Sequence, residues 1–251
     1  MKNESMYGYP FSSVLYRIFI LFTLFIVSLL LGVVVTPLFF ILSLLVFPTS
    51  FYVLISFKNK FLEIRRKIIN DMIEQVELQG DEKILDLGTG SGYAAIPFAK
   101  KVRKGVVIGI DKFDLKHKTY YQNFRDKIKI NFFGNSMKNA KSNASLEEVQ
   151  NNVSFIKSDL TKSIPFIDQS FDVILSSQLL YCISSNHLNG VLYEIDRVLS
   201  ESGSLILFES LSFMNWNIKD VQNFFEKKGY NISIIPLEYL KNKCILVGRK
   251  S

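Results

Sequence analysis

Nine residues constrain this chain more than any others: Ile84-Leu85-Asp86-Leu87-Gly88-Thr89-Gly90-Ser91-Gly92. A short apolar run ends in an acid, a glycine-rich turn follows, and a helical stretch runs from Tyr93 to Val102. The pattern predicts a buried strand, a tight turn and a helix. Glycines tolerate positive φ and let a ligand approach the main chain closely. The helix that follows offers unpaired N–H groups and a positive dipole end to a carboxylate. The dinucleotide-binding turn is GxGxxG, whereas here the glycines fall at 88, 90 and 92. A tight strand-to-helix connection without a ligand uses the same residue types, so the residues downstream decide the ligand class.

Downstream, acids recur at strand ends. Val106-Val107-Ile108-Gly109-Ile110-Asp111 reads as a second strand whose terminal acid lies nineteen positions after Gly92. An acid about 20 residues beyond the glycine turn is placed to bind ribose hydroxyls. Phe155-Ile156-Lys157-Ser158-Asp159-Leu160 reads as a third strand with a terminal acid. Then come Ile164-Pro165-Phe166-Ile167-Asp168-Gln169-Ser170-Phe171-Asp172-Val173-Ile174 and Arg197-Val198-Leu199-Ser200-Glu201-Ser202-Gly203-Ser204.

This series resembles class I S-adenosylmethionine (SAM) dependent methyltransferases. The glycine turn is similar to their first motif. The segment from Ile164 is similar to their LPFPDxSFDVV stretch, and that from Arg197 to their RVLKPGG turn. A GNS turn at Gly134-Asn135-Ser136, then Ala140, Asn143-Ala144, Leu146-Glu147 and Val149, is similar to some members with an enlarged loop, here Lys112 to Phe133. The resemblance covers roughly residues 81 to 251 and departs from the family at Glu148 and at Glu201-Ser202, where Gly and Pro-Gly are usual.

The resemblance implies SAM as cofactor and a set of residues around it. Gly88, Gly90 and Gly92 would pass under the methionine moiety, and Asp86 would hold its amino group, directly or through water. Asp111 would take the ribose hydroxyls, and Asp159 with the Leu160 amide the adenine; Thr89, Tyr93, Lys112 and Ser158 would be further cofactor-binding residues. Ser176-Ser177-Gln178, after the fourth strand, would line the methyl-donor end. Gln178 and Tyr181 stand where acceptor-side residues lie in the family, although Tyr181 is equally a core residue. His117 and His187 suit surface positions better than that of a general base. Displacement at a sulfonium can proceed by alignment and exclusion of water, so the sequence need not display a catalytic residue.

The alternation of strands and helices predicts an α/β fold with a parallel sheet covered by helices, and the resemblance implies a Rossmann-like, seven-stranded, mostly parallel sheet. The expected strands are Lys83–Leu87, Val106–Asp111, Val153–Lys157, Phe171–Ser176, Ser204–Glu209, Ile232–Leu237 and Lys243–Arg249. About five residues separate the last two. That is too short for a parallel crossover, so they form a hairpin and the last strand is antiparallel. The methyltransferase sheet ends this way, and dinucleotide-binding folds usually do not. Ser185 or Asn186 is the expected cap of the helix that runs to Leu199.

Ahead of this domain, no charged residue occurs from Ile18 to Phe57. One helix of that length would span about 60 Å, twice the hydrocarbon thickness. Thr36-Pro37 divides the run, because Thr caps helices and Pro suits their first position. The expectation is a membrane hairpin over residues 1–57, with spans near 14–35 and 38–57. Lys2 and Arg17 on one side, and Lys58, Lys60, Arg65, Arg66 and Lys67 on the other, put both ends in the cytoplasm. A hairpin that dips into the bilayer without crossing it, or a buried helix pair, stays open as an alternative. Phe61, Ile64, Ile68, Met72, Ile73 and Val76 recur at helical spacing, so 58–80 reads as an amphipathic connecting helix.

The net charge of +7 together with 48% hydrophobic residues points to a membrane surface rather than nucleic acid, for which no motif is present. An ordinary lysine-rich surface explains the charge equally well. Cys182 and Cys244 are far apart and form no metal-ligand spacing. The expected partners are the lipid bilayer and a small-molecule or lipid acceptor. The aromatic loop residues Phe113, Tyr120, Tyr121, Phe124, Phe132 and Phe133 could form a greasy lid or simply pack the loop. A SAM-binding module without turnover and an NAD-dependent oxidoreductase are the competing functions. The GxGxG spacing and the terminal hairpin count against the second.

Overall fold

The computed structural model describes residues 20, 22, 23, 25–27, 37–113, 136–213 and 216–250. Within 37–58 the described side chains are Pro48, Tyr52 and Ser56. The first expected span, 14–35, falls almost wholly outside the described residues, as do most of the 112–133 loop, His117 and the Gly134-Asn135 turn.

Helix α1 runs unbroken from Pro37 to Glu74. The expected second span and the connecting segment are thus one helix. From Lys58 to Glu74 there is no glycine or proline to interrupt it, and the residues are mostly good helix formers. The helix stops well before residue 80, where Gly80 takes φ +101°. Two compact units divide the chain, with a boundary inside α1 between Lys67 and Ile68. No helix among the described residues is long and apolar enough to cross a membrane. The two expected spans therefore draw no support from them.

The α/β unit begins with the last turns of α1, whose Ile68, Ile69 and Met72 are buried. Its elements alternate as expected. Strand β1 is Lys83–Leu87, helix α2 Ala95–Lys101, strand β2 Val106–Asp111, helix α3 Met137–Leu146, strand β3 Val153–Lys157 and strand β4 Phe171–Ser177. A 3-10 turn, Leu180–Cys182, leads to helix α4, Ser185–Val198, and strand β5, Leu199–Ser210. A short hairpin of β6, Ser212–Phe213, and β7, Trp216–Asn217, precedes helix α5, Ile218–Glu226. Strands β8, Tyr230–Pro236, and β9, Lys243–Lys250, complete the sheet.

The main sheet has seven strands in the order β3-β2-β1-β4-β5-β9-β8. Strands β1 to β5 pair in parallel, and β9 runs antiparallel to both β5 and β8. The strand order reverses between β1 and β4, and open α/β sheets hold ligands in the crevice beside such a point. Leu85, Leu87, Ile174, Leu205 and Leu207 face Leu188, Leu192, Ile195, Val221 and Phe225 of α4 and α5 in the main core cluster.

Three details differ from expectation. Strand β5 starts at Leu199 rather than Ser204, and its register with β4 shifts between Phe171 and Val173. The bulge absorbs residues expected to form a turn. The cap of α4 is Ser184, one residue earlier than expected, and its hydroxyl meets His187 Nδ1 at 2.8 Å. Helix α2 begins at Ala95 rather than Tyr93, because the residues from Gly92 first complete the turn.

Arg197 explains why the stretch before β4 is well formed without regular structure. Its guanidinium donates to the Ile164 and Phe166 carbonyls, at 2.9 and 2.8 Å, and to the carboxylates of Asp168 and Glu194. These carboxylates hold its pKa above the usual guanidinium value.

Glycine is required at position 109 by space rather than by φ. A Cβ there would lie 2.5 Å from Thr89 Oγ1 and 2.9 Å from Phe155 Cδ1. Gly109→Ala should therefore destabilise the protein by about 1–3 kcal/mol, as overpacking of a tight interior does. An unchanged denaturation midpoint would show that the glycine turn gives way without cost.

Candidate functional site

The carboxyl ends of β3, β2, β1 and β4 lie side by side, and every described residue expected to meet the cofactor stands at or just beyond them. The glycine turn is bound to the end of β2. Gly88 and Thr89 donate their N–H groups to the Ile110 carbonyl at 2.8 and 3.1 Å. The Gly90 N–H donates to Asp111 Oδ2 at 3.0 Å. Gly88, Gly90 and Gly92 take φ of +71°, +55° and +85°, conformations that L side chains seldom adopt. Asn143 of α3 steadies the far side of the turn by donating to the Ser91 carbonyl at 2.9 Å.

Asp111 Oδ1 accepts the Phe113 N–H at 2.9 Å, so each of its oxygens carries one backbone bond. An ionised carboxylate has about four acceptor positions, which leaves room for two hydroxyl donors. The Asp111 carbonyl also accepts the Ser158 N–H at 2.9 Å, tying the end of β3 to that of β2. Lys112 Nζ pairs with Asp159 Oδ2 at 2.9 Å, and Asp159 Oδ1 accepts from both the N–H and the hydroxyl of Thr161. The Lys112 bond, followed by that from the Thr161 hydroxyl, lowers the Asp159 pKa to about 2. Leu160 is buried beside it.

Asp86 lies buried near the end of β1. Only 1% of it is exposed, and its Oδ2 accepts the Ala95 N–H at 3.0 Å. The carboxylate thus sits against the first free N–H groups of α2, where the helix dipole favours an anion. Burial nonetheless dominates and raises its pKa to about 7, with the Thr89 hydroxyl and the Ala95 N–H opposing the shift and Asp111 adding to it.

Beyond β4 the chain turns sharply. Ser176 is fully buried, and its hydroxyl has no hydrogen-bond partner among the described residues. Gln178 adopts φ +60° and donates its N–H to the Phe208 carbonyl at 2.8 Å. Its Oε1 accepts from Lys243 Nζ at 3.0 Å. Tyr181 belongs to the 3-10 turn, and its side chain lies outside the described residues. Tyr93 lies in the turn ahead of α2, half-buried.

Three residues of this corner escaped the sequence analysis: Glu209, Ser210 and Lys243. Lys243 Nζ reaches both Gln178 and the Ser210 hydroxyl, at 3.0 and 2.7 Å. Partial burial pulls its pKa down. Glu209 accepts the N–H groups of Leu179 and Leu180, both at 2.7 Å. A carboxylate inside the apolar run Leu205-Ile206-Leu207-Phe208-Glu209 was the available signal.

Comparison with known proteins agrees with this geometry. A family model described as a methyltransferase domain matches residues 115–207. No curated protein matches the chain. A SAM-dependent methyltransferase from Aquifex aeolicus superposes with a TM-score of 0.52 at 18% identity, covering 74% of this chain and 88% of that one. The YcgJ protein of Bacillus subtilis gives 0.54 at 17%, covering 72% and 97%. The [4+2]-cyclase SpnF gives 0.55 at 18%, covering 73% and 80%. At these identities the likeness establishes the fold, a Rossmann-like methyltransferase fold.

The buried Asp86 makes stability depend on pH. Its folded pKa lies above the usual carboxylate value, so the folded state holds the extra proton between about pH 4 and 7, and stability falls as pH rises through that window. Asp86→Asn keeps an oxygen for the Ala95 N–H and removes the titration. In denaturant titrations the variant should gain on the wild type from pH 4 to pH 8, by on the order of 2–4 kcal/mol. A difference independent of pH would contradict the raised pKa.

Proposed function

We propose that this protein is a membrane-anchored, SAM-dependent methyltransferase acting on a small, lipophilic acceptor. The observation that carries the cofactor is the glycine turn bonded through Gly90 to the Asp111 carboxylate, beside the point where the strand order reverses. The methyltransferase-domain match and the SAM-dependent neighbour support the same cofactor.

The residues present fit that group. The positive-φ turn brings bare backbone to the crevice, and Asp111 keeps acceptor positions for two ribose hydroxyls. Lys112, Ser158, Asp159 and Leu160 flank the adenine side, while Thr89, Gly92 and Tyr93 flank the methionine side. Asp86 stands behind the turn, where its negative form complements an ammonium group. SAM supplies, when bound, a methyl group activated by its sulfonium. The chain's own contribution is alignment: the glycine turn, Ser176 and the Gln178 corner border the donor end and exclude water there.

Isothermal titration tests this reading. The detergent-solubilised protein should bind SAM and S-adenosylhomocysteine and not NAD. Asp111→Ala should weaken SAM binding by about tenfold or more, since charge-assisted hydrogen bonds contribute roughly 1.5–3 kcal/mol each. Equal affinity in a folded variant would remove Asp111 as the ribose anchor. The cyclase among the fold relatives favours a second reading, in which the same fold performs no methyl transfer. Incubation with labelled SAM and a membrane lipid extract separates the two, because only a transferase yields a labelled acceptor.

The charge-free run from Ile18 to Phe57, flanked by basic residues, supports the anchor and a cytoplasmic catalytic domain. Anchoring concentrates a lipophilic acceptor around the site. A chain beginning near Lys58 should keep its SAM affinity and lose most turnover on acceptors embedded in vesicles, with a much smaller loss on short, soluble analogues. Full activity on vesicles would abolish the link between anchor and acceptor.

A further inference from the structure

Glu209 stands where an apolar strand would ordinarily carry another aliphatic residue. It is 0% exposed, and its neighbours along β5 and in register on β9 are Phe208, Ser210 and Cys244. Burying a carboxylate is costly unless hydrogen bonds compensate. Here one oxygen accepts two N–H groups, those of Leu179 and Leu180, at 2.7 Å each. The other oxygen has no hydrogen-bond partner among the described residues. Burial lifts the Glu209 pKa to about 7, the two N–H groups oppose this, and the Lys243 ammonium adds a smaller opposing pull.

The bonds fall on a strained piece of chain. Gln178, immediately before, holds φ +60°, a conformation that L side chains seldom adopt. Its N–H is tied to the Phe208 carbonyl and its side chain to Lys243. Glu209 thus closes a corner that three strands clamp: β4 supplies the corner, β5 supplies Glu209, and β9 supplies Lys243. The same corner touches the glycine turn. A Cβ at Gly88 would lie 2.8 Å from Leu179 Cδ1 and 3.3 Å from Leu179 Cβ. Leu179 therefore rests directly on the bare face of Gly88, whose N–H is bonded to Ile110 at the end of β2.

We infer that Glu209 is a positioning residue that holds the corner after β4 against the cofactor turn, so that the floor of the SAM site depends on a side chain that does not touch SAM. The chain of contacts is Glu209 to the Leu179 and Leu180 amides, then Leu179 to Gly88. It requires an acceptor oxygen at position 209 rather than a negative charge. This inference rests on the SAM-binding reading.

The test is isothermal titration of the full-length, detergent-solubilised protein with SAM and S-adenosylhomocysteine. It compares wild type, Glu209→Ala, Glu209→Gln, Leu179→Ala and the Glu209→Ala/Leu179→Ala double variant. Amide hydrogen exchange is followed on the same samples. Glu209→Ala should weaken both ligands by about tenfold, and Glu209→Gln, which retains an oxygen, should stay within about threefold of wild type. Leu179→Ala should also weaken binding, and the double variant should be little worse than the weaker single one, as coupled neighbours behave. Exchange at Leu179, Leu180 and Gly88 should quicken together in Glu209→Ala. Should Glu209→Ala not fold, the Leu179→Ala and Glu209→Gln affinities still decide, and wild-type affinity in Leu179→Ala overturns the inference. So does a folded Glu209→Ala that is less heat-stable yet binds SAM normally, or losses that add independently. A wild-type protein that binds neither ligand would instead reject the SAM reading itself, and the inference with it.

Discussion

The turn after β1 is useful only because it is tied across the sheet. Two of its N–H groups meet the Ile110 carbonyl, and a third meets the Asp111 carboxylate. Without these bonds three glycines at positive φ would have wide conformational freedom, and ordering them on ligand binding would cost entropy. With them, much of that cost is met when the protein folds. The register of β1 against β2, Leu87 beside Ile110, is what brings turn and acid together. The parallel sheet can be seen as the device that delivers Asp111 to Gly90.

Two buried carboxylates extend this logic to either side. Asp86 accepts from the start of α2, and Glu209 accepts from the start of the 3-10 turn. Both are lifted toward neutrality by burial, and both are placed against unpaired N–H groups at the beginning of a helical turn. The site is thus bordered by two anchored helical starts. Neither carboxylate is needed to explain the hydrophobic core. Each sets the direction in which the chain leaves a strand, and the ligand crevice lies where those directions diverge.

Much of this was legible in the sequence. Asp111 and Asp159 were legible as acids at strand ends, and they stand at the end of β2 and just beyond β3. The short gap between Leu237 and Lys243 required a hairpin, and the hairpin is there. What escaped was set by contacts distant in sequence. Glu209 bonds backbone groups thirty residues earlier, and backbone groups carry no residue-type signal. Asp86 could be assigned to the turn, while its burial depended on how α2 packs. That one helix runs on past residue 58 was not legible either, because a change from apolar to basic composition alters the surroundings of a helix without breaking its backbone.

Strand β9 lies between β5 and β8 although it is the final strand of the described chain. Its first residue, Lys243, reaches the corner at Gln178 only once that insertion is complete. During synthesis the glycine turn, Asp111 and β4 all emerge well before Lys243. The corner at Gln178 is therefore completed last, after the glycine turn and Asp111 have been made. The glycine turn can thus be tied to Asp111 before the Gln178 corner gains its contact with Lys243.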